Sequence, residues 1–342
     1  GYYLNALSHI IIINISLYWN RMKKIIFIVG GAGYIGSHMV KHAALSGYEV
    51  VTLDNLSTGH KDAVKYGKFE LCDIKNKKKL DALFKKYQPD VVMHFSAYSI
   101  VSESVIDPYK YYDNNVSGTL NLLKIMLDNH CNKIIFSSTA AVFGNPEYVP
   151  IDERHIKKPI NPYGKSKLMV EQILEDFSQA YDLKYLIFRY FNAAGHDEDG
   201  ELSERHDPET HLLPLIMQAA REERGGIAIF GVDYDTKDGT CVRDYIHVDD
   251  LCSAHLSGLN IFFNTGGEVS SNDFNLGNGN GFSVKEVISK VKELTNKDFT
   301  VVEKERRSGD PAVLIASNIK ASKILDFVPT KSKIEDIIKS LI

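Results

Sequence analysis

A tyrosine and a lysine four residues apart are the pair of side chains with the clearest chemical use in this sequence. They occur in the segment YGKSK at 163–167, where Tyr163 and Lys167 would share one face of a helix that we predict to start near Pro162. A phenol is a poor base at neutral pH because its ordinary pKa is about 10. A neighbouring ammonium favours the phenolate. The pair is often only an exposed surface feature, but in a cleft it is suited to proton transfer.

A glycine-rich turn follows the first predicted strand, with glycines at Gly30, Gly33 and Gly36. This spacing allows a tight strand-to-helix turn, close approach of the backbone to a pyrophosphate, and close packing of the helix on the strand. The helix N-terminus also attracts negative charge. Asp54 ends the second predicted strand, about 20 residues on, where a carboxylate can bind ribose hydroxyls. We therefore predict a dinucleotide site, and Asp54 favours NAD because it would repel the 2′-phosphate of NADP.

The elements that must position these groups alternate along the chain. From residue 23 onward, short β-branched runs alternate with longer amphipathic stretches, which is typical of βα units in a parallel sheet covered by helices on both faces. We predict an α/β fold, a Rossmann-type doubly wound parallel sheet with a smaller α+β substrate-binding domain. The predicted strands are 24–29, 49–53, 68–71, 90–95, 132–137 and 184–189, and the predicted helices are 34–46, 77–87, 109–129 and 162–181.

The fifth predicted strand ends in hydroxyl-bearing residues, Ser137, Ser138 and Thr139. Open α/β sheets bind ligands at the carboxyl ends of their strands. We therefore expect these hydroxyls to lie close to the helix that carries Tyr163 and Lys167, which makes a catalytic role for the pair the better hypothesis.

Composition and charge exclude several classes of protein. The chain has 342 residues, of which 44% are apolar and 25% charged, and its formal net charge is -4. Such a chain is globular, with no global basic field for nucleic acid or an anionic membrane surface. The apolar run at 9–19 is well short of the ~18 residues that suggest a membrane-spanning helix. We predict no nucleic-acid or membrane partner and no metal site, and the four scattered cysteines favour reduced thiols in a cytoplasmic protein.

The pattern along the chain predicts three parts. Residues 1–21 precede Met22-Lys23-Lys24, which has the character of a natural start, so we expect them to be an extension that does not belong to the enzyme. Residues 22–190 would form the NAD-binding Rossmann domain. Residues 191–342, with their polar, Gly- and Asp-rich segments, would form the substrate-binding domain, partly interleaved with the first.

Several ordered motifs resemble those of the extended short-chain dehydrogenases/reductases, and among these the UDP-glucose (UDP-galactose) 4-epimerases. They are GGAGYIGSH at 30–38, DNLSTGH at 54–60, NNVSGTLNLL at 114–123, YGKSK at 163–167, RYFNAAG at 189–195 and DGTCVRDYIHVDDL at 238–251. The resemblance covers roughly residues 23–330. It implies reversible epimerisation at C4 of a UDP-hexose through a 4-keto intermediate, with transient hydride transfer to bound NAD.

The resemblance also implies roles for individual residues. Tyr163 would take the proton of the sugar 4-hydroxyl, Lys167 would hold the nicotinamide ribose and lower the pKa of Tyr163, and Thr139 would hydrogen-bond the sugar. The implied cofactor-binding residues are Gly30, Gly33, Tyr34, Ile35, Gly36, Asp54, Asn55, Asp73, Ile74, Phe95, Ser96, Ala97, Asn115, Lys167 and Tyr190. The implied UDP-sugar-binding residues are Thr139, Tyr163, Asn192, His211, Leu212, Phe230, Arg243, Arg307 and Asp310.

Related activities differ at a few positions. The 4,6-dehydratases of this fold need an Asp-Glu pair after the Thr of the fifth strand, where this chain has Ala140 and Ala141, so dehydration is disfavoured. A UDP-uronate or UDP-pentose 4-epimerase stays open as an alternative. A non-enzymatic NAD-sensing regulator would be favoured by loss of Tyr163 or Lys167, and both are present.

The small Val313, near a pocket position that selects for N-acetyl groups in such enzymes, predicts that UDP-N-acetylglucosamine is also a substrate.

Three departures from the family pattern bear on details of the site. Ser99 stands where some of these epimerases have Lys, so we expect the cofactor phosphates to meet positive charge from elsewhere. His211 replaces an Asn. The chain stops at Ile342 where relatives continue into a longer final helix, and this would weaken packing of the smaller domain.

The resemblance further implies a homodimer through the helices at 109–129 and 162–181.

Overall fold

A parallel sheet of seven strands forms the larger part of the fold. The structure is a computed structural model that describes residues 23–268, 272–307 and 310–342, so the predicted extension at 1–21 lies outside the described residues. Its strands are β1 (Ile25–Val29), β2 (Glu49–Asp54), β3 (Lys68–Leu71), β4 (Val91–His94), β5 (Lys133–Thr139), β6 (Lys184–Tyr190) and β10 (Asp273–Leu276). Across the sheet they lie in the order β10-β6-β5-β4-β1-β2-β3.

Helices cover both faces of this sheet. On one face lie α1 (Tyr34–Leu45) and α8 (Val248–Asn264), and on the other lie α2 (Lys77–Tyr87), α5 (Thr119–Asp128) and α6 (Pro162–Tyr181). Alternate residues of β1 enter the two cores, with Ile26 and Ile28 on the α1 side and Phe27 and Val29 on the α2 side. In a strand that is buried on both faces, apolar residues do not alternate with polar ones, which explains the continuous apolar run of β1.

A helical segment leads into α5 from the cleft side of the molecule. It consists of α3 (Val101–Ile106), α4 (Pro108–Tyr111) and a π-helical segment, Tyr112–Gly118. Such π-helical insertions frequently occur at functional sites because they reposition side chains within a helix. The sequence predicted this region as one helix at 109–129.

The second layer is smaller and mixed. It contains β7 (Asn192–Ala194), β9 (Val242–His247), β11 (Gly281–Ser283) and β13 (Val313–Leu314) in one sheet, and β8 (Ile227–Phe230) with β12 (Val301–Lys304) in another. The helices α7 (Leu212–Ala220), α9 (Val284–Thr295) and α11 (Ile334–Leu341) share its core, while α10 (Ile319–Leu325) packs on the main sheet.

The predicted fold class is confirmed, since all six predicted strands occur in a Rossmann-type parallel sheet with flanking helices. The sequence did not reveal that the chain returns to this sheet after residue 191. Strand β10 pairs with β6 through Phe274 opposite Phe188, and α8 packs beside α1. The predicted division into residues 22–190 and 191–342 stays a prediction.

Among the described residues, none of the helices is both long and apolar enough to cross a membrane. All four cysteines are buried, and each is a free thiol. Burial raises the pKa of Cys72 to about 11 and that of Cys131 to about 12. These thiols are therefore protonated at neutral pH.

Candidate active site

A cleft with a volume of about 610 Å³ opens at the carboxyl edge of the main sheet. It lies where the strand order reverses between β1 and β4, the position at which doubly wound sheets bind ligands. The turn after β1, the loop after β4, the end of β5 and the start of α6 all contribute to its walls. The fold thus brings residues from separate sequence motifs together around one cleft.

The glycine turn after β1 is shaped by close contacts that only glycine permits. Gly30 has a φ of +84°, and a Cβ there would lie 2.5 Å from the backbone nitrogen of Ser96. A Cβ at Gly36 would lie 2.1 Å from the carbonyl oxygen of Gly30. Each distance is far below van der Waals contact, so side chains at these positions would push the turn away from β4 and from α1.

The N-terminus of α1 faces the cleft without a side-chain cap. Gly33 is the N-cap residue, it makes no side-chain hydrogen bond, and the first turn of α1 contains no acidic residue. Gly33, Tyr34, Ile35 and Gly36 all line the cleft. Free amide groups at a helix N-terminus bind phosphate well. The described residues therefore fit the pyrophosphate of a dinucleotide.

Asp54 lies at the end of β2, on the same cleft. Its carboxylate accepts hydrogen bonds from the backbone N–H groups of Ala32 (3.0 Å) and Leu56 (2.8 Å). Burial raises the pKa of Asp54, and these backbone hydrogen bonds oppose that rise. A carboxylate fixed in this way can accept hydrogen bonds from ribose hydroxyls, which fits NAD better than NADP.

The first turn of α6 presents Tyr163 to the cleft. Asn161 caps this helix by accepting a hydrogen bond from the N–H of Gly164 (2.8 Å), and Pro162 occupies the first helical position, where a proline costs no hydrogen bond. The phenol hydrogen-bonds to the hydroxyl of Thr139, at the end of β5. Burial raises the pKa of Tyr163, and the hydrogen bond with Thr139 opposes that rise.

Lys167 follows one helical turn later and is only 3% exposed. Its Nζ donates to the carbonyl oxygen of Ser137 (2.7 Å) and lies 4.8 Å from the centre of the Phe136 ring. Burial lowers the pKa of Lys167 to about 7, although the charge of Glu171 opposes this shift. The Lys167 ammonium is therefore buried and loses its proton near neutral pH. The predicted effect of Lys167 on the pKa of Tyr163 stays a prediction, because burial dominates both groups here.

We expect Lys167→Met to stabilise the dinucleotide-free protein while abolishing its activity. The folded protein releases the Lys167 proton near pH 7, whereas the unfolded chain holds it up to about pH 10.4. The buried ammonium therefore costs stability below pH 7, and this cost disappears as the pH rises towards 10. The variant should gain on the order of 1–3 kcal/mol in the free energy of unfolding at pH 6.5 and much less at pH 9.5.

Urea unfolding of dinucleotide-free protein at those two pH values measures the gain. Lys165→Met, at an exposed lysine on the same helix, is the matched control and should leave the free energy of unfolding nearly unchanged. An equal effect of Lys167→Met at both pH values would contradict the assignment.

A buried ion pair lies behind Lys167, and the sequence analysis did not identify it. Arg189 of β6 donates to both carboxylate oxygens of Glu171 (2.9 and 2.8 Å), and the Ser138 hydroxyl donates to Glu171 as well (2.6 Å). Arg189 is 1% exposed and Glu171 5% exposed. The pair ties α6 to β5 and β6 and so holds Tyr163 and Lys167 over the sheet edge. The sequence signal that could have identified this ion pair is the position of Glu171, four residues after Lys167 on the same helix.

Two predicted cofactor residues act through buried hydrogen bonds. Asn115, in the π-helical segment, exchanges hydrogen bonds with the backbone of Tyr98 (2.9 and 3.0 Å) and donates to Ser166 (3.1 Å), so it fixes the loop after β4 against α6. Tyr190 lines the cleft, and its hydroxyl donates to Nε2 of the buried His255 (2.7 Å). No local pattern singles out His255, because it belongs to the core face of α8.

The structure brings most of the predicted residues together and leaves others outside the cleft lining. Those that line it are Gly30, Gly33, Tyr34, Ile35, Gly36, Asp54, Asn55, Ile74, Phe95, Ser96, Ala97, Thr139, Tyr163, Lys167, Tyr190, Asn192 and His211. Asp73 supports the wall, since it accepts a hydrogen bond from Asn55 (2.9 Å). Ser99 also lines the cleft, as does Lys110, which forms an ion pair with Glu103 at 2.7 Å.

The remaining predicted substrate residues belong to the smaller layer. Arg243 forms an ion pair with Asp310, and the guanidinium of Arg307 lies 4.0 Å from the centre of the Phe230 ring. Strand β9 connects Arg243 to the cleft. Two residues after Arg243, Tyr245 of this strand pairs with the cleft residue Asn192. Leu212 begins α7 and packs into the core of the smaller layer.

Comparisons with known proteins place the chain in a family. The model of the NAD dependent epimerase/dehydratase family matches residues 26–277. The chain is 46% identical to the UDP-glucose 4-epimerase of Rhizobium meliloti over 304 residues, which cover 89% of this chain and 92% of that protein.

Solved structures match as well. A UDP-glucose 4-epimerase from Brucella ovis in complex with NAD has a TM-score of 0.89 and 45% identity, covering 93% of this chain and 97% of that chain. The UDP-Glc/GlcNAc 4-epimerase of Campylobacter jejuni has a TM-score of 0.80 and 44% identity, with the same two coverages.

Proposed function

The chain belongs to the NAD dependent epimerase/dehydratase family, and we propose that it interconverts UDP-glucose and UDP-galactose by epimerisation at C4. The observation that carries this proposal is the position of Tyr163, Thr139 and Lys167 on one cleft, beside an uncapped helix N-terminus. NAD held by the glycine turn and Asp54 would supply the hydride acceptor that this reaction needs.

The chain's own residues move and orient the proton. Tyr163 Oη takes the proton from the sugar 4-hydroxyl, and Thr139, already hydrogen-bonded to Tyr163, stabilises the phenolate that results. The Lys167 ammonium is held 2.7 Å from the carbonyl oxygen of Ser137, from where it lowers the cost of a negative charge on the phenol. Tyr163 then returns the proton to the oxygen at C4 of the 4-keto sugar as the hydride comes back to the opposite face of C4, which yields the other epimer with no net oxidation.

The two positions directly after Thr139 carry no acid/base pair for dehydration of the sugar. The residues after Thr139 form a short 3₁₀ turn, Ala140–Val142, whose first two side chains are methyl groups. A methyl group cannot transfer a proton. The end of β5 thus favours epimerisation over 4,6-dehydration.

The uridine diphosphate would be held by the residues of the smaller layer. Arg243 and Arg307 offer planar guanidinium groups, which suit bidentate pairing with phosphate oxygens. Phe230 offers a ring face under Arg307. In the structure Asp310 neutralises Arg243, so we propose that diphosphate competes with this carboxylate.

Product analysis tests the proposed function. Purified protein incubated with UDP-glucose, without added NAD, should form UDP-galactose because the cofactor is retained through the cycle. Formation of a 4-keto-6-deoxy sugar would instead identify a dehydratase. Turnover of a UDP-uronate or a UDP-pentose, with none of UDP-glucose, would move the substrate to one of those classes.

UDP-N-acetylglucosamine is a second candidate substrate. The Campylobacter jejuni enzyme that matches this chain is named for both sugars, and Val313 has a small side chain. Val313 lies on β13 opposite Val242 and is not among the residues that line the cleft, so its effect would act through β9. We expect purified protein to epimerise both sugars in parallel assays, and activity on UDP-glucose alone would refute this.

A homodimer is the proposed assembly. The helices α3, α4 and α6 pack together, and their outer surface exposes Val105 (63%), Ile106 (84%), Tyr109 (77%) and Met169 (41%). Large apolar side chains grouped on one surface usually mark an interface. We expect analytical ultracentrifugation to show a dimer and Ile106→Asp to shift it towards monomer. The matched control Ile319→Asp, on the exposed start of α10, should stay dimeric, and dissociation by both would contradict this interface.

A cytoplasmic location is proposed on the basis of the four buried free thiols. Reduced cysteines are typical of a reducing compartment.

A further inference from the structure

Four side chains come together in the loop between β7 and α7, and three of them, Glu204, His206 and His211, line the cleft. The four are Glu204, His206, Glu209 and His211, which we call the His–Glu cluster. Each offers one ligand atom, and these four atoms all lie within 4.8 Å of one another. The proposed epimerase mechanism uses no member of this cluster as an acid or base, although His211 is a predicted substrate contact.

The distances within the His–Glu cluster are close to those of a tetrahedral coordination shell. Glu204 Oε1 lies 3.1 Å from His206 Nδ1 and 2.9 Å from His211 Nδ1. The carboxylate of Glu209 lies 3.0 Å from His211 Nδ1 and 3.7 Å from His206 Nδ1. Ligands at about 2.0–2.1 Å from a tetrahedral Zn²⁺ are separated by about 3.4 Å. These four contacts differ from that separation by at most about 0.5 Å, and the ligand atoms of the two remaining pairs, His206 with His211 and Glu204 with Glu209, lie within 4.8 Å.

Burial and hydrogen bonding favour a ligand at this place. The side chain of Glu204 is 2% exposed and that of Glu209 8% exposed, so two carboxylates are held together away from solvent. His206 Nδ1 is buried and, among the described residues, has no partner in hydrogen-bond geometry despite its closeness to Glu204. The imidazoles are 31% and 47% exposed, which leaves an ion a path from the cleft.

We propose that the His–Glu cluster is a binding site for a divalent transition-metal ion of the Zn²⁺ class, which clips the loop before α7 onto the cleft. Two imidazole nitrogens and two carboxylate oxygens suit Zn²⁺ or Co²⁺, whereas Mg²⁺ and Ca²⁺ prefer oxygen ligands only. His206 also packs edge-on against Tyr34 (6.3 Å between ring centres), so an ordered loop would close over the glycine turn.

A second acidic group nearby does not offer an equivalent site. Asp197, Asp199 and Glu201 surround the ammonium of Lys41 at 2.8, 2.6 and 2.9 Å. Lys41 therefore already supplies the cation at that position. This acidic group also serves as a comparison, because the affinity of a metal bound to it would not change when His206 is substituted.

Calorimetric titration of the untagged, NAD-loaded protein with ZnCl₂, without nucleotide sugar, tests the proposal. We expect one Zn²⁺ per chain, and Co²⁺ in its place should show the intense visible absorption of a tetrahedral complex. His206→Asn should weaken Zn²⁺ binding by at least about ten-fold, because loss of even a ligand's supporting hydrogen bond costs that much. The matched control His130→Asn, at an exposed histidine with a φ of +58° that Asn tolerates, should bind as the wild type does.

Three results would overturn the proposal. They are the absence of Zn²⁺ binding by the wild type, equal binding by His206→Asn, and an octahedral Co²⁺ spectrum. The first would leave the cluster as a set of ion pairs only. A thermal melt of each variant confirms that it is folded, and none of these outcomes bears on the epimerase activity, which is assayed separately.

Discussion

Tyr163→Phe is expected to lower kcat for UDP-glucose epimerisation by about 10²–10⁴-fold, the usual contribution of a general acid or base. The change removes one oxygen, the atom that takes and returns the proton of the 4-hydroxyl. The ring stays in place because Tyr111 packs edge-on against it (6.5 Å between ring centres), while the cap at Asn161 fixes the helix start. NAD content and the melting temperature should therefore change little.

The measurement is the rate of UDP-galactose formation, with NAD counted after acid denaturation. Tyr181→Phe, at the exposed C-terminal end of the same helix, is the matched control and should retain wild-type activity. Near-full activity of Tyr163→Phe would refute the assigned base. A loss of activity together with a loss of NAD would instead assign Tyr163 to cofactor binding.

Gly36→Ala is expected to remove most of the bound NAD and, with it, the activity. The added Cβ would lie 2.1 Å from the Gly30 carbonyl oxygen and 2.8 Å from Gly31 Cα, and both are backbone atoms. Backbone cannot move aside as a flexible side chain would, so α1 must shift away from the turn. Overpacking of this kind costs about 1–3 kcal/mol of stability. The larger effect is on the pyrophosphate site, because the N-terminus of α1 no longer points at it.

Gly225→Ala is the matched control. No heavy atom lies within 4 Å of a Cβ at Gly225, and its φ is outside the left-handed region. We expect this variant to keep wild-type NAD content, measured as dinucleotide released per chain. Normal NAD content in Gly36→Ala would contradict the assignment of the glycine turn to the pyrophosphate.

Local sequence patterns were enough to predict those parts of the site that lie within a few neighbouring residues. Helices at Lys77–Tyr87 and Pro162–Tyr181 have the predicted bounds, because periodicity and capping residues act over a few neighbouring positions. The glycine spacing and the tyrosine–lysine pair are equally local, since each is defined within one turn. Ordered motifs then sufficed to identify the family.

Features that depend on contacts between distant residues became visible only in the folded structure. The seventh strand, Asp273–Leu276, joins the sheet beside a strand more than 80 positions earlier, and its short apolar run could not show this partner. The direction of the pKa shifts at Tyr163 and Lys167 follows from burial, which spacing alone does not reveal. The His–Glu cluster likewise depends on the folded conformation of the loop before α7, which brings atoms of two histidines and two carboxylates within 4.8 Å of one another.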